Sequence, residues 1–210
     1  MTVMERLSST YLVPVVVMDD AARAVDTARA MLAGGVDIME ITMRTPAGID
    51  AIEAVAANCP EVLVGAGTVL TLDKCKESIE RGAKFIVSPG YDERIVDYCI
   101  GCGVDVLPGC VTPTEITKAI NAGLKVVKFF PADVYGGIKA IKALSGPFQS
   151  VGFVPTGGVS LDNLKDYVHP AVFAVGGGWL CDRKAVNAGD YGALTAVCEK
   201  SVQAVKEARA

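Results

Sequence analysis

Leu12-Val13-Pro14-Val15-Val16-Val17-Met18 is an unbroken apolar run of strand length. A strand with one face in water alternates polar and apolar residues. A strand buried on both faces does not, and such strands belong to parallel sheets covered by helices. Asp19 or Asp20 can cap the next helix, whose Ala/Val pattern runs to Gly34-Gly35. The same unit then recurs. Strand-like runs begin near Val36, Val62, Lys84, Val104, Lys125, Phe153 and Val172, each followed by a helix-like stretch.

Eight strand–helix units predict a (β/α)8 TIM barrel, a parallel sheet closed on itself with no edge to protect, preceded by a short N-terminal helix around Leu7. The alternative is a doubly wound open sheet. That fold expects a Gly-rich dinucleotide turn after the first strand, and Met18-Asp19-Asp20-Ala21 is not one. No linker or low-complexity stretch divides the chain, so residues 1–210 read as one barrel domain. The last helix is expected from about Tyr191 to Glu207, packed against the barrel.

Composition narrows the function. A formal net charge of −4 with no run of Lys or Arg argues against a nucleic-acid or anionic-membrane surface. No apolar run reaches membrane-spanning length and the N-terminus lacks a long apolar targeting core, so a cytoplasmic protein is expected. Seven scattered cysteines suit reduced thiols rather than a disulfide framework. Cys99-Ile100-Gly101-Cys102 has redox spacing, but it falls at an expected helix end ahead of Gly103, which favours a structural reading. His169, the only histidine, stands beside Pro170 in a loop. A histidine-rich zinc site or a Ser-His-Asp triad is thereby nearly excluded, and no metal or cofactor is expected.

Chemistry in such barrels gathers at the C-terminal ends of the strands. The sixth run, Lys125-Val126-Val127-Lys128-Phe129-Phe130-Pro131, places a lysine inside an apolar strand. Burial disfavours the charged form of an amine, and a neutral amine adds to ketones to form a Schiff base. This run alone does not separate that reading from a lysine whose stem lies on apolar surface and whose head reaches water. In the second run, period-2 alternation sets Ile38, Glu40, Thr42 and Arg44 on one face. Glu40 at that depth can act as a general acid or base, and Arg44 near the mouth can hold a carboxylate. The competing reading is a Glu40–Arg44 ion pair, which needs Arg44 to fold back because the ideal Cα separation is about 13 Å.

The third run ends Val64-Gly65-Ala66-Gly67-Thr68, where small residues let the backbone approach whatever fills the centre and Thr68 offers a hydroxyl. Ser88-Pro89-Gly90 and Leu107-Pro108-Gly109 read as strand-ending turns. The seventh and eighth runs end in Thr156-Gly157-Gly158 and Gly176-Gly177-Gly178, exposing backbone N–H groups where these barrels often bind phosphate.

With these motifs assembled, the chain resembles the 2-keto-3-deoxy-6-phosphogluconate (KDPG) and 4-hydroxy-2-oxoglutarate (KHG) aldolase family. The resemblance rests on Glu40-Ile41-Thr42-Met43-Arg44-Thr45, Val64-Gly65-Ala66-Gly67-Thr68-Val69, Val87-Ser88-Pro89-Gly90, Val127-Lys128-Phe129-Phe130-Pro131-Ala132 and Val154-Pro155-Thr156-Gly157-Gly158-Val159. It implies a class I aldolase that cleaves a 2-keto-3-deoxy (phospho)sugar acid to pyruvate and an aldehyde. Lys128 would form the Schiff base. Glu40 would be the general acid/base, acting through a water because a tight ion pair would keep Lys128 protonated. Arg44 and Thr68 would bind the pyruvyl carboxylate, Pro89 would line the pocket, and Thr156 would orient the substrate. Gly157, Gly158, Gly177 and Gly178 would surround the phosphate, with Gly178 standing where many members have serine. The family is commonly a homotrimer. The galactonate-derived epimer is an alternative substrate, and a phosphosugar isomerase or a catalytically silent scaffold is an alternative role for the same barrel.

Overall fold

The computed structural model of the chain describes residues 1–209. Helix α1, Val3–Thr10, starts at a capping box in which the Thr2 hydroxyl accepts from Glu5 N and the Glu5 carboxylate accepts from Thr2 N. This short helix turns the fully buried Leu7 onto the N-terminal ends of the strands, against Val13, Ile38, Leu63, Phe85, Val126 and Ala174.

Strands and helices then alternate. Strand β1 is Leu12–Val16, and helix α2, Ala24–Ala33, follows a 3-10 turn whose first N–H groups Asp20 caps. Next come β2 Ile38–Thr42, α3 Gly48–Asn58, β3 Leu63–Gly67, α4 Leu72–Glu80, β4 Phe85–Val87 and α5 Glu93–Cys102. After β5 Asp105–Leu107 and α6 Pro113–Asn121 stand β6 Val126–Phe129, α7 Gly137–Ser145 and β7 Gly152–Pro155. Strand β8 is Val175–Gly177, followed by α8 Arg183–Ala188 and α9 Tyr191–Arg209, a turn-aligned match to the expected last helix. One crossover departs from the pattern: between β7 and β8 only a 3-10 turn, Leu164–Tyr167, replaces the expected helix.

All strand pairs are parallel. They make a curled six-stranded sheet in the order β5-β4-β3-β2-β1-β8 and a separate pair β6-β7. The expected continuous eight-stranded ladder is therefore not what the hydrogen bonds form. Between β5 and β6 the ladder is reduced to Lys128 N donating to Pro108 O (3.0 Å) and Cys110 N donating to Lys128 O (2.8 Å). Pro108 has no N–H to add. Between β7 and β8 single bridges join Phe153 to Val172 and Thr156 to Gly176.

Alternation along each strand separates two apolar groups. Residues such as Val16, Met39, Ile41, Val64, Ile86, Val127, Phe129 and Phe153 face the helices, while Val13, Ile38, Leu63, Phe85, Leu107, Val126, Val154 and Ala174 fill the concave interior. Apolar side chains thus occupy the start of each strand's inner face, leaving polar chemistry to its end. Among the described residues no helix is long and apolar enough to cross a membrane.

Candidate active site

Lys128 follows Val126 on the inner face of β6, and Glu40 follows Ile38 on the inner face of β2. Lys128 Nζ donates to Glu40 Oε1 at 3.3 Å, with only 4% and 3% of the two side chains exposed. Glu40 thus meets Lys128 directly. The distance exceeds the ~2.7–2.9 Å of a strong ammonium–carboxylate bond, so contact does not mean a tight ion pair. The ion pair with Arg44 is replaced by this one, because two inward residues on strands across the interior are closer than the 13 Å, order-of-magnitude, that separates residues four apart on one strand.

Gly67 explains how Glu40 fits. A Cβ at position 67 would collide with the Glu40 carboxylate, while one at Gly65 would collide with the Phe85 ring. The centre that the small residues of β3 were expected to approach is filled by these two side chains. Directly after Gly67, Thr68 takes a left-handed conformation, φ 54°, which is costly for a β-branched residue. Its Oγ1 accepts from Arg44 Nε at 3.1 Å. Arg44 lies beyond the end of β2 and is exposed at the rim.

At the strand ends opens a cavity of about 370 Å³, lined by Val15, Val17, Arg44, Phe130, Thr156, Gly157-Gly158, Gly177-Gly178, Asp182 and Arg183; Lys128, Glu40 and Thr68 are not among its lining residues. The volume suits a small sugar acid, near the lower end of ligand-pocket sizes of roughly 300–1,000 Å³. Thr156 is buried to 6% exposure and its hydroxyl has no hydrogen-bond partner among the described residues. An unpaired buried hydroxyl costs stability and is available to a ligand.

The four glycines differ. Gly157 (φ 92°) and Gly158 (φ 73°) adopt backbone that side chains disfavour. Gly177 lies under the Trp179 ring, which a Cβ would strike, whereas a Cβ at Gly178 would meet only Val15 O at 3.8 Å. Pro89 does not line this cavity. It is half-buried on the neighbouring loop, its carbonyl pressed onto Gly109, where a Cβ would collide with it.

Three contributors were not among the expected site residues. Phe130 presents its ring centroid 5.2 Å from Lys128 Nζ, and its signal was available, since it follows Lys128 by two residues and shares its face. Gly67 needed the β2–β3 register. Arg183, brought to the rim by α8, is held by Asp19 through Nε–Oδ2 (2.7 Å) and Nη2–Oδ1 (2.5 Å), with Asn187 Nδ2 also donating to Oδ2 at 2.7 Å. Arg183 and Asn187 hold the Asp19 carboxyl down at about 2. Asp20 alone caps the following turn, so Asp19 is free for this contact, which no local pattern announces.

A model of KDPG and KHG aldolases matches residues 3–197. The 2-dehydro-3-deoxy-phosphogluconate aldolase of Treponema pallidum (strain Nichols) is 43% identical over 205 residues, covering 97% of this chain and 98% of that one. The KHG/KDPG aldolase of Escherichia coli (strain K12) is 41% identical over 201 residues, covering 95% and 94%. The crystal structure of KDPG aldolase from Legionella pneumophila, with pyruvate captured as a covalent carbinolamine, superposes with a TM-score of 0.90 at 33% identity, over 93% of this chain and 96% of that one. With a family match across most of its length, relatives above 40% identity and the same arrangement of strands, the chain belongs to the KDPG and KHG aldolase family.

Proposed function

We propose that this chain is a class I aldolase that cleaves 2-keto-3-deoxy-6-phosphogluconate to pyruvate and glyceraldehyde 3-phosphate, and 4-hydroxy-2-oxoglutarate to pyruvate and glyoxylate. The observation that carries this reading is the buried contact of Lys128 Nζ with Glu40 Oε1 between two strands of the interior.

The residues divide the work as follows. A proton passes from Lys128 to Glu40 across their contact, leaving the amine free to attack the C2 ketone. Glu40 returns that proton to the departing carbinolamine hydroxyl, and loss of water gives an iminium. The Glu40 carboxylate then takes the C4 hydroxyl proton, the C3–C4 bond breaks, and its electrons flow into the iminium to leave an enamine while the aldehyde departs. Protonation at C3 and hydrolysis release pyruvate and restore the amine. Arg44 and Thr68, already hydrogen-bonded to each other, bind the substrate carboxylate. The unpartnered Thr156 hydroxyl orients the substrate, and the turns at Gly157-Gly158 and Gly177-Gly178 hold the phosphate through backbone N–H groups. Pro89 acts at one remove, shaping the loop beside the pocket.

We read residues 1–210 as one domain and the eight strands as a closed (β/α)8 barrel. The single bridges on either side of β6-β7 support closure. A cytoplasmic homotrimer is the matching assembly, and exposed Leu70, Val134 and Tyr135 offer apolar surface for subunit contacts.

The test is intact-protein mass after pyruvate and sodium borohydride, with peptide mapping. A reduced pyruvyl adduct on Lys128 is expected. Pyruvate binding without any adduct would overturn the Schiff-base reading and leave an isomerase on the same scaffold.

A further inference from the structure

Cys75 on α4 and Cys99 on α5 meet where these helices pack together, Sγ to Sγ 3.5 Å apart, both with no exposed surface. Cys102 is the last residue of α5 and, alone among the seven cysteines, is exposed. Residues three apart on a helix share a face, so Cys102, Cys99 and Cys75 run from solvent into the core. Gly103 ends the helix in left-handed conformation, φ 68°, which leaves Cys102 in the turn that frays first. None of the three belongs to the cavity described above.

We propose that Cys75, Cys99 and Cys102 form a redox-modified site, in which a hydroperoxide is reduced at Cys102 and the oxidation is stored as a Cys75–Cys99 disulfide. The Cys102 thiolate attacks the peroxide, forming an S–O bond as the O–O bond breaks, and the leaving alkoxide takes a proton to become an alcohol, or water when hydrogen peroxide is used. The Cys99 sulfur then displaces the sulfenic hydroxyl as water, forming Cys99–Cys102. Cys75 next attacks the Cys99 sulfur and expels Cys102 as a thiolate. In sum, two thiols lose two hydrogens while one hydroperoxide becomes one alcohol and one water.

The direction of the last step follows from the sulfur pair. With Cys99 bound to Cys102, Cys75 holds the remaining thiol and its Sγ lies 3.5 Å from Cys99 Sγ, so Cys75 attacks and Cys99 is attacked. A disulfide needs the sulfurs to close by about 1.5 Å, within reach of side-chain rotation and a small helix shift. A Cys99–Cys102 bond, by contrast, requires the last turn of α5 to open, which makes it the intermediate rather than the end state.

The experiment treats the purified chain with an equimolar amount of hydrogen peroxide, quenches by alkylation, and maps disulfides without reduction. The wild-type protein is expected to become lighter by two hydrogens, with Cys75 linked to Cys99. Cys102→Ser, an exposed and structurally mild change, is expected to slow that linkage at least about ten-fold. Cys75→Ala is expected to stop at Cys99–Cys102. Dithiothreitol should restore the starting mass in each case. A Cys75–Cys99 pair that stays reduced while Cys102 runs on to sulfinic acid would overturn the proposal. So would linkage in Cys102→Ser at the wild-type rate.

Discussion

Ile38 and Glu40 stand on the same face of one strand, about 7 Å apart along it, and belong to regions with opposite demands. Around Ile38, Leu7, Val13, Leu63, Phe85, Val126 and Ala174 fill the N-terminal end of the interior with interchangeable apolar volume. Around Glu40, the neighbours are a buried lysine, a left-handed threonine at 68 and a threonine hydroxyl at 156 without a partner. The first region stabilises the fold. The second gives up stability where we propose that the reaction takes place, which is how strand starts and strand ends divide labour in such folds. Substitutions in the two regions should therefore separate activity from stability.

The largest expected effect is on activity alone. Lys128→Ala should abolish both the borohydride-trapped adduct and aldol cleavage, while circular dichroism shows the fold retained. Residual adduct at another lysine would move the nucleophile elsewhere. Glu40→Gln comes next. It keeps the shape and loses the proton acceptor, so steady-state kinetics should show kcat down by about 10²–10⁴ with substrate binding preserved. Near-normal turnover would remove Glu40 from the proton transfers.

The converse belongs two residues down the same strand. Ile38→Ala removes a fully buried side chain and should cost about 2–5 kcal/mol in urea unfolding, while kcat per folded molecule stays within a few-fold. A large loss of kcat in protein that remains folded would mean the two regions are not separable.

Gly67→Ala probes the boundary. The new methyl would press on the Glu40 carboxylate, and a displacement near 1 Å at a catalytic group can cost ~10²-fold in rate. A ten- to hundred-fold loss of kcat is expected, on the order of one to two factors of ten, with a thermal midpoint shifted far less than by Ile38→Ala. Unchanged kcat would show that Glu40 has room to move.

The same division explains what the sequence disclosed. Apolar runs and their helices follow from periodicity, so the strands and α9 were legible, as was Lys128, a charge in the middle of such a run. Glu40 and Thr68 were legible for a similar reason, each being a polar residue at a strand end. The Glu40–Lys128 contact, separated by 88 residues, was not, because inward direction and register are set by tertiary packing rather than by local pattern. Nor was the broken ladder beside β6, which depends on where Pro108 falls against Lys128. Arg183 and Asp19, 164 positions apart, left no trace in sequence, and the turn after β7 reads as helical by spacing although it holds only a 3-10 turn.

The smallest effect tests the outermost part of the mouth, where the two glycines of one turn differ. Gly177 is fixed by the Trp179 ring, but Gly178 is exposed and has space for a side chain. Gly178→Ser should therefore fold normally and add one hydroxyl donor where the phosphate is proposed to sit. A hydrogen bond of about 1 kcal/mol net corresponds to a KM for 2-keto-3-deoxy-6-phosphogluconate lowered about five-fold, because 1.4 kcal/mol is roughly a factor of ten. The KM for 4-hydroxy-2-oxoglutarate, which carries no phosphate, should not move. Equal changes for both substrates would mean that the new side chain acts on the pyruvyl end. No change for either would place the phosphate away from this turn.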